Sequence, residues 1–281
     1  MWERRALSVT SKDAMHATET SGNGFRWILF EGDMISDAVR STGGWEPHFL
    51  EVARRFVRPG DSVFDAGANF GFHTLELARL VGGSGRVLAF EPQRIVFQQL
   101  SAHLFINGIL NVWAYPFALG DVAGKCAVPA IREAIAGNIG ATPIGVGSES
   151  TLIVPLDQFR SESIAFGKID VQGAETACLQ GSTIILTVDR PVLFLEIEEN
   201  WLQRLGSSSK ELVELLFAHG YSILRIETEW PTDCICYPRE KAVWVNETLR
   251  EFQWRTTLLE GNGVEFRFEG RPYWKSFVIT S

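Results

Sequence analysis

The chain has 281 residues, 46% of them hydrophobic, and a formal net charge of −8 at pH 7. This length suffices for one good-sized α/β domain with appendages. The negative charge and the lack of a long basic run argue against nucleic acid as a partner. The longest apolar runs have strand length, so the sequence predicts no membrane span. Residues 1–5 are not followed by an apolar signal core, so we expect a cytoplasmic protein.

Strand and helix patterns alternate along most of the chain. Residues 1–24 are polar and rich in Ser and Thr, which predicts a flexible tail. An apolar strand pattern at 25–30 and a helix pattern at 45–56 follow. The later predicted strands are 62–65, 86–90, 111–115, 151–154, 167–170, 192–198, 222–226 and 241–245, and the later predicted helices are 72–80, 93–107, 174–180 and 210–219. This alternation indicates an α/β fold with a mostly parallel, Rossmann-like sheet and helices on both faces.

The stretch 62–80 predicts a cofactor site. A short apolar run ends in Asp65, a turn containing Gly67 and Gly71 follows, and helix periodicity begins at Phe72. Glycine lets the backbone turn tightly and approach a ligand, because no Cβ is present. The following helix would direct free N–H groups at that ligand. A strand, a glycine turn and a helix N-terminus together predict a nucleotide or cofactor cradle.

Two carboxylates favour S-adenosylmethionine as the cofactor. The Gly-x-Gly-x-x-Gly fingerprint of dinucleotide sites is missing, and Asp65 ends the strand where such a site would begin its glycines. Glu91, followed by Pro92, ends the next strand, where a carboxylate can accept both hydroxyls of a ribose. S-Adenosylmethionine carries an ammonium, a ribose and a sulfonium but no phosphate, so it suits a site bracketed by acids.

Further carboxylates follow later strands. Asp121 either caps its own turn or reaches an adenine amino group. Asp170 ends a buried strand that we expect beside the first one, and Gly173 turns the chain into a helix. Glu196 lies within an apolar strand, where a carboxylate needs a partner or a function. Residues 130–150 are rich in Gly, Ala and Ser and predict a long loop over the site.

The four cysteines do not predict a metal site or a disulfide framework. Cys234 and Cys236 are separated by one residue, not two, and have no histidine neighbour. We expect reduced thiols and no bound metal.

A set of short motifs resembles the FkbM-type methyltransferase family. The motifs are Gly44-Trp45-Glu46, Asp65-Ala66-Gly67-Ala68-Asn69-Phe70-Gly71, Phe90-Glu91-Pro92, Ala118-Leu119-Gly120-Asp121, Leu156-Asp157 and Lys168-Ile169-Asp170-Val171-x-Gly173-Ala174-Glu175. The resemblance covers roughly residues 25–245 and implies a class I methyltransferase domain with an N-terminal strand and helix extension. Residues 246–281 lie outside it, and their alternating aromatic residues predict a small β-rich appendage.

The resemblance implies S-adenosylmethionine as the cofactor and hydroxyl groups of sugars or natural products as acceptors. We therefore expect a small-molecule or glycan partner. By position, it assigns cofactor binding to Glu46, Asp65, Gly67, Ala68, Asn69, Phe70, Gly71, Thr74, Glu91, Pro92 and Asp121. Glu91 would hold the ribose, and Thr74 would meet the methionine carboxylate.

In-line attack of an acceptor hydroxyl on the cofactor methyl is the expected reaction, helped by a general base. Asp170 is the first candidate base, Glu196 the second and His73 the third. For Asp170 the competing role is stabilisation of the turn, for Glu196 a buried salt bridge, and for His73 packing or cofactor binding. Gln172 stands where the family usually has glutamate, which removes a negative charge beside the site.

Two other classes of function remain open. A nicotinamide-dependent oxidoreductase could also use Glu91, although Asp65 and the missing third glycine weigh against it. A cofactor-binding protein that has lost catalysis would explain Gln172. Cofactor preference separates the first class from a methyltransferase, and methyl turnover separates the second.

Overall fold

The structure is a computed structural model that describes residues 17–133, 137–140, 142–228 and 232–259, and the backbone of 265–271 and 274–280. Its strands are β1 (Ala17–Gly22), β2 (Phe25–Phe30), β3 (Ser62–Ala66), β4 (Arg86–Phe90), β5 (Val112–Tyr115), β6 (Phe117–Leu119), β7 (Gly124–Val128), β8 (Glu149–Val154), β9 (Ile164–Ile169), β10 (Val192–Glu196), β11 (Tyr221–Ile226), β12 (Asp233–Pro238), β13 (Thr256–Leu259), β14 (Glu265–Arg271) and β15 (Trp274–Thr280). Its helices are α1 (Met34–Thr42), α2 (Pro47–Phe56), α3 (Phe72–Val81), α4 (Arg94–Ile106), α5 (Glu175–Gln180), α6 (Glu199–Arg204), α7 (Ser209–Ala218) and α8 (Ala242–Thr248).

The central sheet has eight strands in the order β13-β11-β12-β10-β9-β3-β4-β5. The pairings from β10 through β9, β3 and β4 to β5 are parallel, whereas β12 is antiparallel to both of its neighbours. Asp65 on β3 pairs with Lys168 on β9. The glycine turn after β3 and Asp170 after β9 therefore meet at one edge of the sheet, which confirms the predicted adjacency.

Helices cover both faces of this sheet, as predicted. Successive strand residues alternate between two buried clusters, because side chains on a strand point to opposite faces. Val63 and Phe194 belong to the cluster that includes α2 and α3, and their neighbours Phe64 and Leu193 belong to the cluster that includes α5 and α7. The fold class predicted from the sequence is confirmed.

An N-terminal hairpin occupies part of the segment predicted to be a flexible tail. Strand β1 pairs with β2 from Ala17 opposite Phe30 to Gly22 opposite Phe25. The connecting residues Asn23 and Gly24 have φ angles of 54° and 79°. Asn-Gly with two positive φ angles is the preferred two-residue hairpin turn, so this turn extends the order to residue 17. Residues 1–16 lie outside the described residues.

The strand predicted at 241–245 is wrong. The segment forms α8 instead, in which Val245 is fully buried while Val243 is 72% exposed. Trp244 packs edge-on against Phe56, with 5.3 Å between ring centroids. The alternation of Val and Trp therefore belongs to a helix that buries only one of its sides. The strand of this region is β12, which lies earlier in the chain.

The C-terminal segment contributes to the central sheet. Strand β13 pairs antiparallel with β11, with Leu259 opposite Ile223, and Leu259 is buried in the core. Strands β14 and β15 form a separate two-stranded antiparallel sheet. The aromatic side chains between residues 266 and 277, whose alternation predicted the appendage, lie outside the described residues. Within the described ranges, no helix has the length and apolar character needed to cross a membrane.

Candidate active site

A cavity of about 1290 Å³ opens at the carboxyl ends of the parallel strands. Among the predicted site residues, those that line it are Glu46, Gly67, Ala68, Asn69, Phe70, His73, Glu91, Pro92, Asp170, Gln172 and Glu196. Asn138, Gly140 and Thr142 also line it, so the described part of the loop at 130–150 does lie over the site. These predicted residues are thus brought together at one edge of the sheet.

The turn after β3 has no room for a side chain at Gly67. Gly67 has a φ of 80°, and a Cβ built on it would stand 1.8 Å from the carbonyl oxygen of Asp170. The Gly67 and Ala68 amides donate to the Phe90 carbonyl at 3.0 and 2.9 Å. Asn69 has a φ of 50° and its Oδ1 accepts from the Phe70 amide at 2.7 Å. The turn is thereby fixed against β4 and β9 and presents its backbone to the cavity.

Asp65, Gly71 and Thr74 lie beneath this turn, not in the cavity lining. The Thr74 hydroxyl donates to Asp65 Oδ2 at 2.6 Å, and both residues are fully buried. Burial raises the pKa of Asp65, and the Lys168 ammonium opposes that shift. Gly71 packs on Leu100, which a Cβ would approach to 2.5 Å. The expected contact of Thr74 with the methionine carboxylate is wrong here, because its hydroxyl is directed at Asp65 inside the fold.

Glu91 is held by backbone amides on both of its carboxylate oxygens. Oε2 accepts from the Asn69 amide at 2.9 Å and Oε1 from the Gln93 amide at 2.8 Å. Burial raises the pKa of Glu91 to about 7, and these hydrogen bonds oppose the shift. The carboxylate is thus oriented towards the cavity with acceptor capacity remaining, as a pair of ribose hydroxyls requires.

Asp170 forms hydrogen bonds through both carboxylate oxygens. Lys168 Nζ lies 2.8 Å from Oδ2, and Gln172 Nε2 donates to Oδ1 at 3.0 Å. Burial alone would raise the pKa of Asp170, but the Lys168 ammonium and hydrogen bonds from Lys168, Glu196 and Gln172 lower it below its usual value. Asp170 is therefore the ionised carboxylate of this group.

Glu196 is the member of this pair that holds a proton more readily. Burial, with the nearby charges of Asp170 and Asp233, raises the pKa of Glu196 well above its usual value. Gln172 Nε2 also donates to Glu196 Oε2, at 3.3 Å. A glutamine at 172 therefore links the two carboxyl groups, which an ionised glutamate has no hydrogen to do.

Lys168 lines the cavity although it is only 2% exposed, and the sequence predicted no role for it. Burial alone would lower the pKa of Lys168, but Asp170, Asp65 and Glu46 raise it above its usual value. A lysine inside an apolar strand, two residues before a carboxylate, was the available signal.

His48 and Asp233 were also missed. His48 Nε2 lies 2.6 Å from Asp233 Oδ2, and both residues line the cavity. Asp233 pairs across the sheet with Glu196. The two residues are 185 positions apart, so no local pattern could have revealed the pair.

The structure does not bring Asp121 to the cavity. Its side chain is exposed, and Oδ1 accepts from the Val122 amide at 2.9 Å. Of the two roles proposed for it, the structure therefore supports the cap on its own turn, and the predicted cofactor contact is wrong.

The described residues contain no group of three or more His, Cys, Asp or Glu side chains arranged to hold a metal ion. All four cysteines are free, and three of them are buried. This part of the chain offers binding chemistry through carboxylates, backbone amides and one lysine.

Comparison with known proteins gave a family match. The model of the methyltransferase FkbM domain matches residues 65–223. This range begins at Asp65 and contains the glycine turn, Glu91, Asp170 and Glu196. A search of curated proteins found no match.

Several solved structures are similar to this chain. Methyltransferase FkbM from Methylobacillus flagellatus KT is 18% identical, with a TM-score of 0.47, over 73% of this chain and 60% of that one. TYW2 from M. jannaschii, solved in complex with AdoMet, is 14% identical, with a TM-score of 0.42, over 79% of this chain and 84% of that one. Precorrin-6y C5,15-methyltransferase from Geobacter metallireducens GS-15 is 14% identical, with a TM-score of 0.40, over 68% of this chain and 84% of that one. The chain thus spans less than two thirds of the Methylobacillus protein.

Proposed function

Because this chain belongs to the FkbM methyltransferase family, we propose that it transfers a methyl group from S-adenosylmethionine to a hydroxyl group of a small molecule or glycan. A match to a methyltransferase domain does not favour the nicotinamide-dependent oxidoreductase that the sequence left open. The observation that carries the proposal is the joint presence in one cavity of a glycine turn, an oriented Glu91 and the Asp170–Glu196 pair.

The residues present fit S-adenosylmethionine. Gly67 lets the turn pack against the Asp170 carbonyl, which a Cβ would meet at 1.8 Å, and the turn lines the cavity without a side chain at this position. Glu91 and Pro92 bind the ribose side, and Ala68, Asn69 and Phe70 complete the turn. When bound, the cofactor supplies an electrophilic methyl group on its sulfonium. Carboxylates around the cavity suit that positive charge, whereas a pyrophosphate would be repelled.

Asp170 is the group that receives the acceptor's proton. The pKa of Asp170 is lowered below its usual value, whereas that of its hydrogen-bonded neighbour Glu196 is raised well above it. An acceptor hydroxyl bound beside Asp170 would lose its proton to the Asp170–Glu196 pair. Lys168 and Gln172 hold the Asp170 carboxylate in one orientation throughout. Positioning supplies most of the acceleration, and the base contributes about 10²- to 10⁴-fold.

The cavity has room for a second ligand. Its volume of about 1290 Å³ exceeds the roughly 300–1,000 Å³ of a typical small-molecule site. Trp201, Trp254 and several carboxylates are among the residues that line it. Aromatic faces and hydrogen-bond acceptors suit a hydroxyl-bearing ring, and the net charge of −8 disfavours nucleic acid.

The test is calorimetric titration with S-adenosylmethionine, S-adenosylhomocysteine and NAD, followed by methyl transfer to glycoside, polyketide and RNA acceptors. We expect the first two ligands to bind, NAD not to bind, and the variant Gly67→Arg to bind none. Asp170→Asn should keep cofactor affinity and lose about 10²-fold or more in turnover. Binding of NAD alone would overturn the methyltransferase assignment. Transfer to RNA alone would overturn the acceptor class, and binding without any transfer would favour a protein that has lost catalysis.

A further inference from the structure

His48, Asp233 and Trp254 form one wall of the cavity. His48 Nε2 lies 2.6 Å from Asp233 Oδ2, and the ring centroids of His48 and Trp254 are 6.0 Å apart. His48 precedes residues 65–223, which the family model matches, and the other two residues follow them. The glycine turn and Asp170 lie inside the matched range. The cavity therefore combines a cofactor side that the family model covers with a wall that it does not cover.

Asp233 lies beside the Asp170–Glu196 pair. It stands opposite Glu196 in the antiparallel pairing of β12 with β10. Residues directly opposite in such a pairing point to the same face, with their Cβ atoms about 4.5–5.5 Å apart. Gln172 Nε2 in turn connects Glu196 with Asp170. The wall therefore presents a carboxylate on the strand next to that of Glu196, within reach of a ligand that contacts the pair.

Only one oxygen of Asp233 is occupied. Oδ2 is bonded to His48, whereas Oδ1 forms no hydrogen bond with any residue that the structure describes. Asp233 is nevertheless only 7% exposed, and a carboxylate oxygen in such a place normally has a partner. The His48 ring packs on Phe194, with 5.8 Å between ring centroids, and this contact holds it beside Asp233. Asp233 is thus held in one orientation and keeps an acceptor oxygen for a donor on a ligand.

Hydrogen bonds of the residues that follow it fix Trp254 in the wall. The Arg255 carbonyl accepts from the Glu227 amide at 2.8 Å, and the Thr257 hydroxyl donates to Glu227 Oε1 at 2.6 Å. Trp254 itself is half-buried and lines the cavity. An indole that is held in this way offers a rigid apolar surface, and such a surface suits the apolar face of a saturated ring.

We propose that this wall binds the acceptor through a second hydroxyl group, on the ring carbon next to the one whose hydroxyl is methylated. Asp233 accepts a hydrogen bond from that second hydroxyl, Trp254 packs on the face of the ring, and His48 positions Asp233. The inference rests on the proposed function and narrows its acceptors to saturated rings with two neighbouring hydroxyl groups. Such a diol donates one hydroxyl to the Asp170–Glu196 pair and the other to Asp233. The second hydroxyl takes no part in the transfer.

Methyl transfer from radiolabelled S-adenosylmethionine to matched alcohols tests the second hydroxyl on the unmodified protein. Cyclohexane-1,2-diol, methyl α-D-glucopyranoside and methyl α-D-mannopyranoside are the ring diols. Cyclohexanol lacks the second hydroxyl, and propane-1,2-diol lacks the ring. We expect kcat/KM for at least one ring diol to exceed that for cyclohexanol about 10- to 100-fold. It should exceed that for propane-1,2-diol about 10-fold.

Variants assign the two preferences to the two side chains. Asp233→Asn removes the charge that strengthens the hydrogen bond, so the ratio of kcat/KM between ring diol and cyclohexanol should fall about 10-fold. Trp254→Ala should lower the ratio between ring diol and propane-1,2-diol about 10-fold. Trp244→Ala is the control, because Trp244 also packs against α2, on Phe56, but does not line the cavity. Calorimetry with S-adenosylhomocysteine shows that each variant is folded.

His48 acts through Asp233, so its variants are compared by the same ratio. His48→Gln keeps an N–H group that can donate to Asp233 and should keep the preference for the ring diol over cyclohexanol. His48→Leu leaves Asp233 without this donor and should lose the preference, mainly through a higher KM for the diol. A merely structural role of His48 would lower Tm without changing the ratio between the two alcohols.

The outcomes distinguish this inference from the proposed function. If S-adenosylhomocysteine does not bind the unmodified protein, the proposed function is wrong. If it binds, but cyclohexanol is methylated as well as the ring diols or none of these alcohols is methylated, the wall does not bind a second hydroxyl and the cofactor assignment stands. An unchanged ratio in Asp233→Asn would remove Asp233 from acceptor binding. Equal losses in Trp244→Ala and Trp254→Ala would remove Trp254.

Discussion

Among the described glycines, Gly67 leaves the least room for a side chain, because its ideal Cβ would stand 1.8 Å from the Asp170 carbonyl oxygen. Even Gly67→Ala must push β3 and β9 apart and hold alanine at a positive φ. We expect a loss of about 3 kcal/mol in the free energy of unfolding, together with loss of S-adenosylhomocysteine binding. Urea denaturation measures the first effect and calorimetry the second. Gly32→Ala is the control, since that position also has a positive φ but no atom within 4 Å.

Lys168 is the only described cation that Asp170 contacts directly. Lys168→Met leaves buried carboxylates unpaired and should destabilise the fold by about 3–5 kcal/mol at pH 7. The pKa of Asp170 is lower in the folded than in the unfolded protein. Ionised Asp170 therefore stabilises the fold at pH values above its unfolded pKa of about 3.9, and this stabilisation is lost as the pH falls through the folded pKa. The difference in unfolding free energy between Lys168→Met and the unmodified protein should therefore be smaller at pH 3.5 than at pH 7.

Urea unfolding at the two pH values tests this. Lys210→Met removes an exposed lysine that pairs with Glu214 one helical turn away and should change stability by no more than about 0.5 kcal/mol. Equal stability of Lys168→Met and the unmodified protein at pH 7 would show that the ion pair contributes no net stability.

Site residues could be predicted where the parts that form the site follow one another in the chain. The glycine turn and Glu91 could be identified because strand, turn and helix are consecutive in the chain. Thr74 and Asp121 were misassigned because the direction of a side chain depends on packing, which spacing does not reveal. His48 and Asp233 come together only through the tertiary fold, so the sequence contained no signal for their contact.

At the scale of elements, β13 is the part of the C-terminal segment that bears on stability. Leu259 is 5% exposed and lies opposite Ile223 at the edge of the central sheet. A chain cut after residue 245, where the sequence placed the end of the methyltransferase domain, loses this strand and also Trp254. We expect its unfolding free energy to fall by about 3 kcal/mol or more. A chain cut after residue 259 should keep most of that stability, and equal stability of the two would mean that β13 does not support the sheet.

Elements were predictable when apolar periodicity and length agreed. Strands β3, β4, β9 and β10 are short apolar runs bounded by turn residues, and all four were found. Helix α8 was predicted as a strand because an alternating pattern over only five residues fits both the period of a strand and the period of a helix. Helix α1 was missed because its sequence is largely polar, although Asp33 caps it through the Ser36 amide at 2.9 Å and Gly43 ends it.

At the scale of the whole molecule, the cofactor-free protein should lose stability as pH rises. Burial raises the pKa of Glu46 to about 8, of Glu91 and Glu175 to about 7, and of Glu196 well above its usual value. Each of these carboxyl groups binds its proton more tightly in the folded state than in the unfolded state. The stability is therefore greatest below the unfolded pKa of about 4.3 and falls as the pH rises towards the folded pKa. We expect Tm to drop by about 5 °C or more from pH 5.5 to pH 8.

Thermal unfolding across that range measures the effect. Glu175→Gln should make Tm depend less on pH, because it removes one titrating carboxyl group. The fold should tolerate this change, since Glu175 Oε1 accepts from the Val171 and Gly173 amides and a glutamine oxygen can accept in its place. A Tm that rises from pH 5.5 to pH 8 would contradict the raised pKa values.

The bond between His48 and Asp233 spans 185 residues, and Arg55 on α2 donates to the Thr248 and Glu251 carbonyls. Helix α2 is therefore synthesised at least 185 residues before these partners. During translation the glycine turn also leaves the ribosome before β12 and β13. A nascent chain exposes an incomplete sheet edge until residues 233–259 have emerged.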